Sequence, residues 1–213
     1  MIWYVPGCDV SRNHPEASAR AAAYMQAKGI PPGPCCRKDV SFVKDGDTLV
    51  INCTQCALIF AERLPSTKLL SMYEYLLGDG NFAWPERQGE TMVLQDCLRT
   101  RHNKAMQDAV RQCLANMHVN VIEAEHNREA SDFCGVWLNN PAASDCVEAA
   151  PETFARLEKQ RVLLSKDAQK AKMEAYVAAA PTEKIIVYCN GCEKGIRLGN
   201  GKPVHMIELL FGS

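Results

Sequence analysis

The chain has 213 residues, 47% hydrophobic and 23% charged, which excludes a disordered polymer and leaves room for one large domain or two small ones. Its 24 Lys and Arg balance 25 Asp and Glu, so a net charge of −1 gives no basic footprint for nucleic acid or an anionic membrane. No apolar run is long enough to span a bilayer, and the opening MIWYVPGC lacks the basic region and cleavage site of an export signal, so a cytoplasmic location is expected.

In chain order, Ile2-Trp-Tyr-Val-Pro-Gly-Cys8 reads as a strand running into a cysteine, and Pro15 to Lys28 as a helix. Cys35-Cys36 follows. Thr48-Leu-Val-Ile-Asn52 is a short β-branched run of buried-strand type that leads into Cys53-Thr-Gln-Cys56. An apolar segment, Lys68 to Leu77, comes next. Residues 78–89 are rich in Gly and Pro and break the periodicity. The same order then returns. Thr91-Met-Val-Leu-Gln-Asp-Cys97 is a strand into a cysteine, Asn103 to Met117 a helix, and Phe133-Cys134-Gly135 a cysteine element. A long helical pattern from Pro151 to about Ala179 keeps Phe154, Leu157, Leu164, Ala168, Ala171, Ala175 and Ala178 at 3–4 spacing. Lys184-Ile-Ile-Val-Tyr188 leads into Cys189-Asn-Gly-Cys192, and Val204 to Phe211 is again apolar. This internal repeat predicts an α/β fold of two pseudo-symmetric halves, residues 1–80 and 90–213, each with a small parallel-rich sheet flanked by helices.

Eleven cysteines are far more than packing needs, and an odd number cannot pair completely within one chain. Metal or redox chemistry is the expectation. A CxxC turn aims two thiols to one side, and loops at the carboxyl ends of parallel strands converge on one sheet edge. The first half offers Cys8, Cys35, Cys36, Cys53 and Cys56; the second offers Cys97, Cys134, Cys189 and Cys192, with Phe133 where the first half has Cys35. Four thiolates satisfy a cubane iron–sulfur cluster or a structural zinc. A fifth is a spare, a catalytic thiol, or a ligand to an unusual cluster.

The residues Tyr4-Val-Pro-Gly-Cys8, Cys35-Cys36, Cys53-Thr-Gln-Cys56, Asp96-Cys97, Cys134-Gly135 and Cys189-Asn-Gly-Cys192 resemble, in that order and over nearly the whole chain, the cysteine-rich CCG domain. That domain occurs in the cysteine-rich subunit of heterodisulfide reductase and in iron–sulfur subunits of anaerobic glycerol-3-phosphate, glycolate and lactate oxidation. The resemblance implies a noncubane four-iron–four-sulfur cluster on five cysteines in the first half, where a thiol or disulfide substrate is handled. The same holds for each such domain of that family, but the second half has only four of the five thiols, a number that suits a regular cluster or zinc, so one or two clusters per chain are expected. The chain departs from the family pattern in the short spacing from Cys36 to Cys53, in Arg37 after the pair, and in Phe133. Cys35 and Cys36 are the expected catalytic pair, with Gly33-Pro34 before them and Arg37-Lys38 after them as a positive rim. The alternative is that both clusters only relay electrons. No G-x-G-x-x-G or G-x-x-x-x-G-K-[ST] motif is present, so flavin or nicotinamide would belong to a partner. The expected partners are a ferredoxin-like iron–sulfur subunit and a flavoprotein subunit. The rival reading is a zinc-stabilised, non-redox binding module.

The remaining candidates read more plainly. Cys113 shares a helical face with Met106, Val110, Leu114 and Met117 and reads as packing. Cys146 reads as a free cysteine near a helix start, its functional alternative being a stand-in for the thiol absent at Phe133. His14 and His102 occupy matching places in the repeat, before a helix, and suggest either helix-start packing or a role near a cluster. His126 reads as a solvated loop residue or a contact to a substrate or partner.

Overall fold

Two fully parallel sheets organise the chain, one from each half, in a computed structural model that describes residues 1–212. The first half runs β1 (Ile2–Val5), α1 (Cys8–Asn13), α2 (Pro15–Ala27), β2 (Thr48–Ile51), α3 (Thr54–Arg63), β3 (Lys68–Ser71) and α4 (Met72–Gly78). The second runs β4 (Thr91–Leu94), α5 (Lys104–Asn116), β5 (Asn120–Glu123), α6 (Ser144–Ala149), α7 (Pro151–Glu158), α8 (Lys166–Ala178), β6 (Lys184–Val187), α9 (Asn190–Leu198), β7 (Lys202–His205) and α10 (Met206–Phe211). The strand orders are β1-β2-β3 and β5-β4-β6-β7. The fold is therefore α/β with parallel sheets flanked by helices in two halves, as the repeat predicts. Among the described residues no helix is long and apolar enough to cross a membrane.

Register explains why the cysteines meet. Val5 pairs with Ile51, so β1 and β2 end together and deliver Cys8 and Cys53 to one sheet edge. Leu94 pairs with Ile186, and β4 and β6 deliver Cys97 and Cys189 in the same way. In both halves the CxxC follows a strand with a neighbour on each side; its first cysteine is the N-cap of the following helix and its second lies in the first turn.

Four segments differ from the sequence expectation. The segments 68–77 and 204–211 are each a strand followed by a helix. Ser71 accepts from the backbone of Glu74 while Glu74 returns to the Ser71 backbone, a capping box that ends β3 and starts α4; His205 caps α10 through its ring. The strand β5 pairs with β4 at the sheet margin, largely exposed, so it lacks the buried apolar run that marks the other strands. The long helix is broken into α7 and α8. The backbone N–H groups of Val162 and Leu164 donate to the carbonyls of Leu138 and Asn139, and Ser165 then caps α8. Those tertiary bonds override the helical periodicity between residues 159 and 165.

Apolar packing crosses between the halves reciprocally. The last helix of the first half, α4, packs on α5, and the last helix of the second half, α10, packs on α2. One buried cluster joins Tyr4, Val50, Met72 and Leu76 with Met92, Leu94, Leu114, Ile186 and Leu210. Burying each such side chain contributes roughly 1.5–3 kcal/mol. A second cluster, with Leu49, Ile51, Ile59 and Phe60, is closed by Ala150 and Phe154 of α6–α7.

Candidate metal centre

The second-half site is built from the ends of β4 and β6 and one clamped loop. Cys97 follows β4, Cys189 and Cys192 flank the start of α9, and Cys134 lies between. All four sulfurs lie within 4.8 Å of one another, and Cys97 and Cys134 are 3.4 Å apart. Their exposures are 1%, 0%, 3% and 0% for Cys97, Cys134, Cys189 and Cys192. Gly135 brings the Cys134 loop in. It has a φ of +50°, and a Cβ there would overlap the Gly191 carbonyl inside the CxxC turn. Only glycine satisfies both demands without strain.

Asp96 frames this site. It is fully buried, accepts from Tyr188 Oη at 2.6 Å and from the Arg128 backbone N–H at 2.8 Å, and pairs with Arg111 at 2.6 Å. Tyr188 Oη in turn accepts from the Cys97 backbone N–H at 3.4 Å. Four thiols this close share charge unevenly. Hydrogen bonds from Cys134, Cys192 and Cys97 hold Cys189 well below its ordinary pKa. Burial pushes Cys97 and Cys192 well above theirs. Soft sulfur donors do not suit magnesium or calcium. Sulfurs all within 4.8 Å are spaced for one tetrahedral zinc, whose bonds of about 2.3 Å put sulfurs roughly 3.8 Å apart, and a four-iron cluster requires them to open outward.

The first-half thiols form a looser set. The Cys56 thiol is within hydrogen-bonding reach of Cys36 and Cys53; those contacts lower the pKa of both partners and raise that of Cys56 well above normal. Gly7, at φ +83°, lets the loop after β1 approach the CxxC turn: a Cβ there would lie 2.6 Å from Cys53 Cβ. Cys8 is exposed, and its sulfur accepts from Arg37 Nη2 at 3.1 Å. Cys35 is half-buried beside buried Cys36, and Arg63 Nη1 donates to the Cys36 carbonyl at 2.6 Å and the Lys38 carbonyl at 2.8 Å. Among the described residues, no three of these five thiols close to within 4.8 Å of one another.

Arg99 links the two sets. It lies two positions after Cys97, donates to Gln55 Oε1 of the first CxxC at 2.9 Å, and stacks over Trp137 at 4.2 Å, with Arg161 also stacked on that ring at 3.7 Å. Burial lowers the Arg99 pKa, but the thiols Cys134, Cys189, Cys97 and Cys53 outweigh it and keep the guanidinium charged. A groove of about 190 Å³ is bounded by Cys53, Gln55, Arg99, Trp137 and Cys189, so both CxxC turns face one space. A larger cavity of about 530 Å³ opens beside Cys134, walled by Phe133, Met173 and Tyr176.

Cys146 does not replace the thiol missing at Phe133. Helix α6 carries it to the first half, where it is 2% exposed, packs with Cys36 and Cys56, and accepts from Gln55 Nε2 at 2.6 Å. Phe133 instead stacks on Tyr176 at 4.3 Å. Cys113 is wholly buried, and burial pushes its thiol up to about 12, as a packing residue. His126 pairs with Asp132 at 2.9 Å on the surface, His102 is exposed, and His14 is buried and faces Glu193 and Glu208. Sequence reasoning missed Arg99, Gln55 and Trp137, whose importance comes from contacts across the two halves. No protein-family model, curated protein or solved structure matches this chain.

Proposed function

We propose that the chain is an iron–sulfur redox subunit of the heterodisulfide reductase type, active within a complex. The support for this reading is the second cysteine set delivered at the matching strand ends of the first half, which one zinc site does not need, beside the buried group of Cys97, Cys134, Cys189 and Cys192. An iron–sulfur cluster held by these thiolates supplies electron transfer. The protein's own part is to bury the site, to fix Cys134 against the CxxC turn through Gly135, and to offset thiolate charge with Arg99. In the first half Cys8, Cys35, Cys36, Cys53 and Cys56 are the ligands this reading assigns to a second, noncubane centre. Cys35 and Cys36 stand at its reactive edge. Reduction of a disulfide there adds two electrons and two protons to R–S–S–R′ and releases two thiols; the electrons come from a ferredoxin-like or flavoprotein partner.

A second reading is a zinc-stabilised binding module, since a closed set of four thiols also suits tetrahedral zinc. Metal and sulfide analysis of anaerobically purified protein decides. A brown protein with about four irons and four acid-labile sulfides per filled centre supports the redox subunit. A colourless protein holding zinc alone overturns it.

A further inference from the structure

A second cluster of ligand-bearing side chains, adjoining the four thiols at Cys192-Glu193 but made of different donors, lies at the seam between the halves. His14 precedes α2 in the first half; Glu193 lies on α9 and His205 precedes α10 in the second. They are 5%, 3% and 1% exposed, and one donor atom from each lies within 4.8 Å of the other two. We propose that His14, Glu193 and His205 form a separate site for a zinc-class divalent cation that joins the two halves.

The donor chemistry selects the ion. Two imidazoles and one carboxylate suit zinc and the neighbouring late transition metals, whereas calcium and magnesium need an oxygen cage and clusters need thiolates. The spacing suits it too. Bonds of about 2.0–2.1 Å put tetrahedral ligand atoms roughly 3.3 Å apart. His14 Nε2 and Glu193 Oε2 are 2.9 Å apart and open by a few tenths of an ångström to admit the ion, while the His205 donor, within 4.8 Å of both, closes onto it.

The surrounding groups already hold these ligands as a metal site requires. Both His14 ring nitrogens face carboxylate oxygens, Nδ1 at 2.8 Å from Glu208 Oε1 and Nε2 at 2.9 Å from Glu193 Oε2, so both donate in the metal-free protein; the ion displaces the Nε2 proton while Glu208 keeps the one on Nδ1. Arg197 donates to Glu193 Oε1 at 3.1 Å from Nε and 2.7 Å from Nη2, leaving Oε2 for the site. The independent pointer is His205. Its Nε2 is buried and has no hydrogen-bond partner, a costly state for a polar atom that a metal bond removes. Binding through Nε2 places the proton on Nδ1 and gives up the Ile207 N–H contact, which at 3.3 Å is already long.

The inference is independent of what the cysteines hold, and its test separates the two. Metal-free full-length protein is titrated anaerobically with Co²⁺, with bound metal counted by equilibrium dialysis. Cobalt on cysteines gives intense sulfur-to-metal charge-transfer absorption; cobalt on His14, Glu193 and His205 gives only weak visible bands. The parent protein is expected to bind one more Co²⁺ than His205→Phe, and the difference spectrum should lack charge transfer. Glu208→Gln, at a half-exposed carboxylate, should weaken that ion about 10–100-fold while leaving the thiol-bound cobalt unchanged. If His205→Phe does not fold, Glu193→Gln, which keeps the volume, supplies the same comparison. Equal Co²⁺ stoichiometry in the parent and in a folded variant at either position overturns the proposal and leaves a hydrogen-bonded cluster only.

Discussion

In the second half, four thiols no more than 3% exposed face one another; in the first, Cys36 and Cys56 are buried, Cys53 and Cys35 half-buried, and Cys8 exposed. Both sets start from the same strand ends and the same CxxC turn, so the difference lies in the third loop. Cys134 is clamped by a glycine contact against Gly191. Cys35 and Cys36 instead sit on an irregular stretch between α2 and β2, held by Arg63 through the carbonyls of Cys36 and Lys38. A closed, filled set is suited to holding a centre and passing electrons. An open one leaves sulfur within reach of solvent and of another molecule.

The largest expected effect tests whether the sets are separable. Cys189→Ser should remove nearly all metal from the second half and leave the first-half content unchanged, read as metal per chain, because a hydroxyl is a poor substitute for a soft thiolate. Equal loss from both halves would mean one shared centre. Next, Gly135→Ala should cost roughly 2–4 kcal/mol in denaturant unfolding, combining positive φ with backbone overlap. Gly46→Ala, at φ +84° in the first-half loop but with nothing within 4 Å of the new Cβ, should cost only about 1–2 kcal/mol. Similar costs would remove the clamp as the source of the difference. In metal-free native protein, alkylation mapped by mass spectrometry should reach Cys8 at least about tenfold faster than Cys134 or Cys192, since buried thiols react only after local opening.

The smallest effect concerns the end of the first half, where α4 is tied to α2 away from either cysteine set. Asp79 pairs with Lys28 at 2.6 Å and accepts from Tyr24, and these contacts, Lys28 first, lower its pKa from 3.8 to about 2. Its stabilising effect is complete above pH 3.8 and is lost as pH falls through that value toward about 2. Asp79→Asn should flatten that acid limb in a pH series of melting temperatures without changing metal content. A steeper limb would refute the assignment.

The strands that carry cysteines were legible because each is a short β-branched run ending in its ligand, and the CxxC spacing marked the turns. The grouping of Cys97, Cys134, Cys189 and Cys192 was legible from the repeat together with the CxxC spacing and the strand ends. Cys146 is the free cysteine near a helix start that its sequence suggests, and only its alternative role at Phe133 fails, because α6 crosses to cover α3. The helix across 159–165 failed for a related reason: Arg161 on Trp137 and the backbone bonds to 138 and 139 are tertiary contacts, invisible to periodicity. Arg99 carries no motif at all. Its role depends on Gln55, 44 positions away.

The clamp between Gly135 and Gly191 also bears on the order of assembly. The second-half ligands span 192 − 97 = 95 positions, so the unfolded chain cannot present them together without closing long loops. Pairing of β4 with β6 must bring Cys97 beside the CxxC turn before Cys134 can seat, which makes this site a late product of non-local folding. Once that loop is seated, the four sulfurs are no more than 3% exposed. Whatever fills the site then holds that loop shut, and the free energy of loading becomes free energy of folding for the second half.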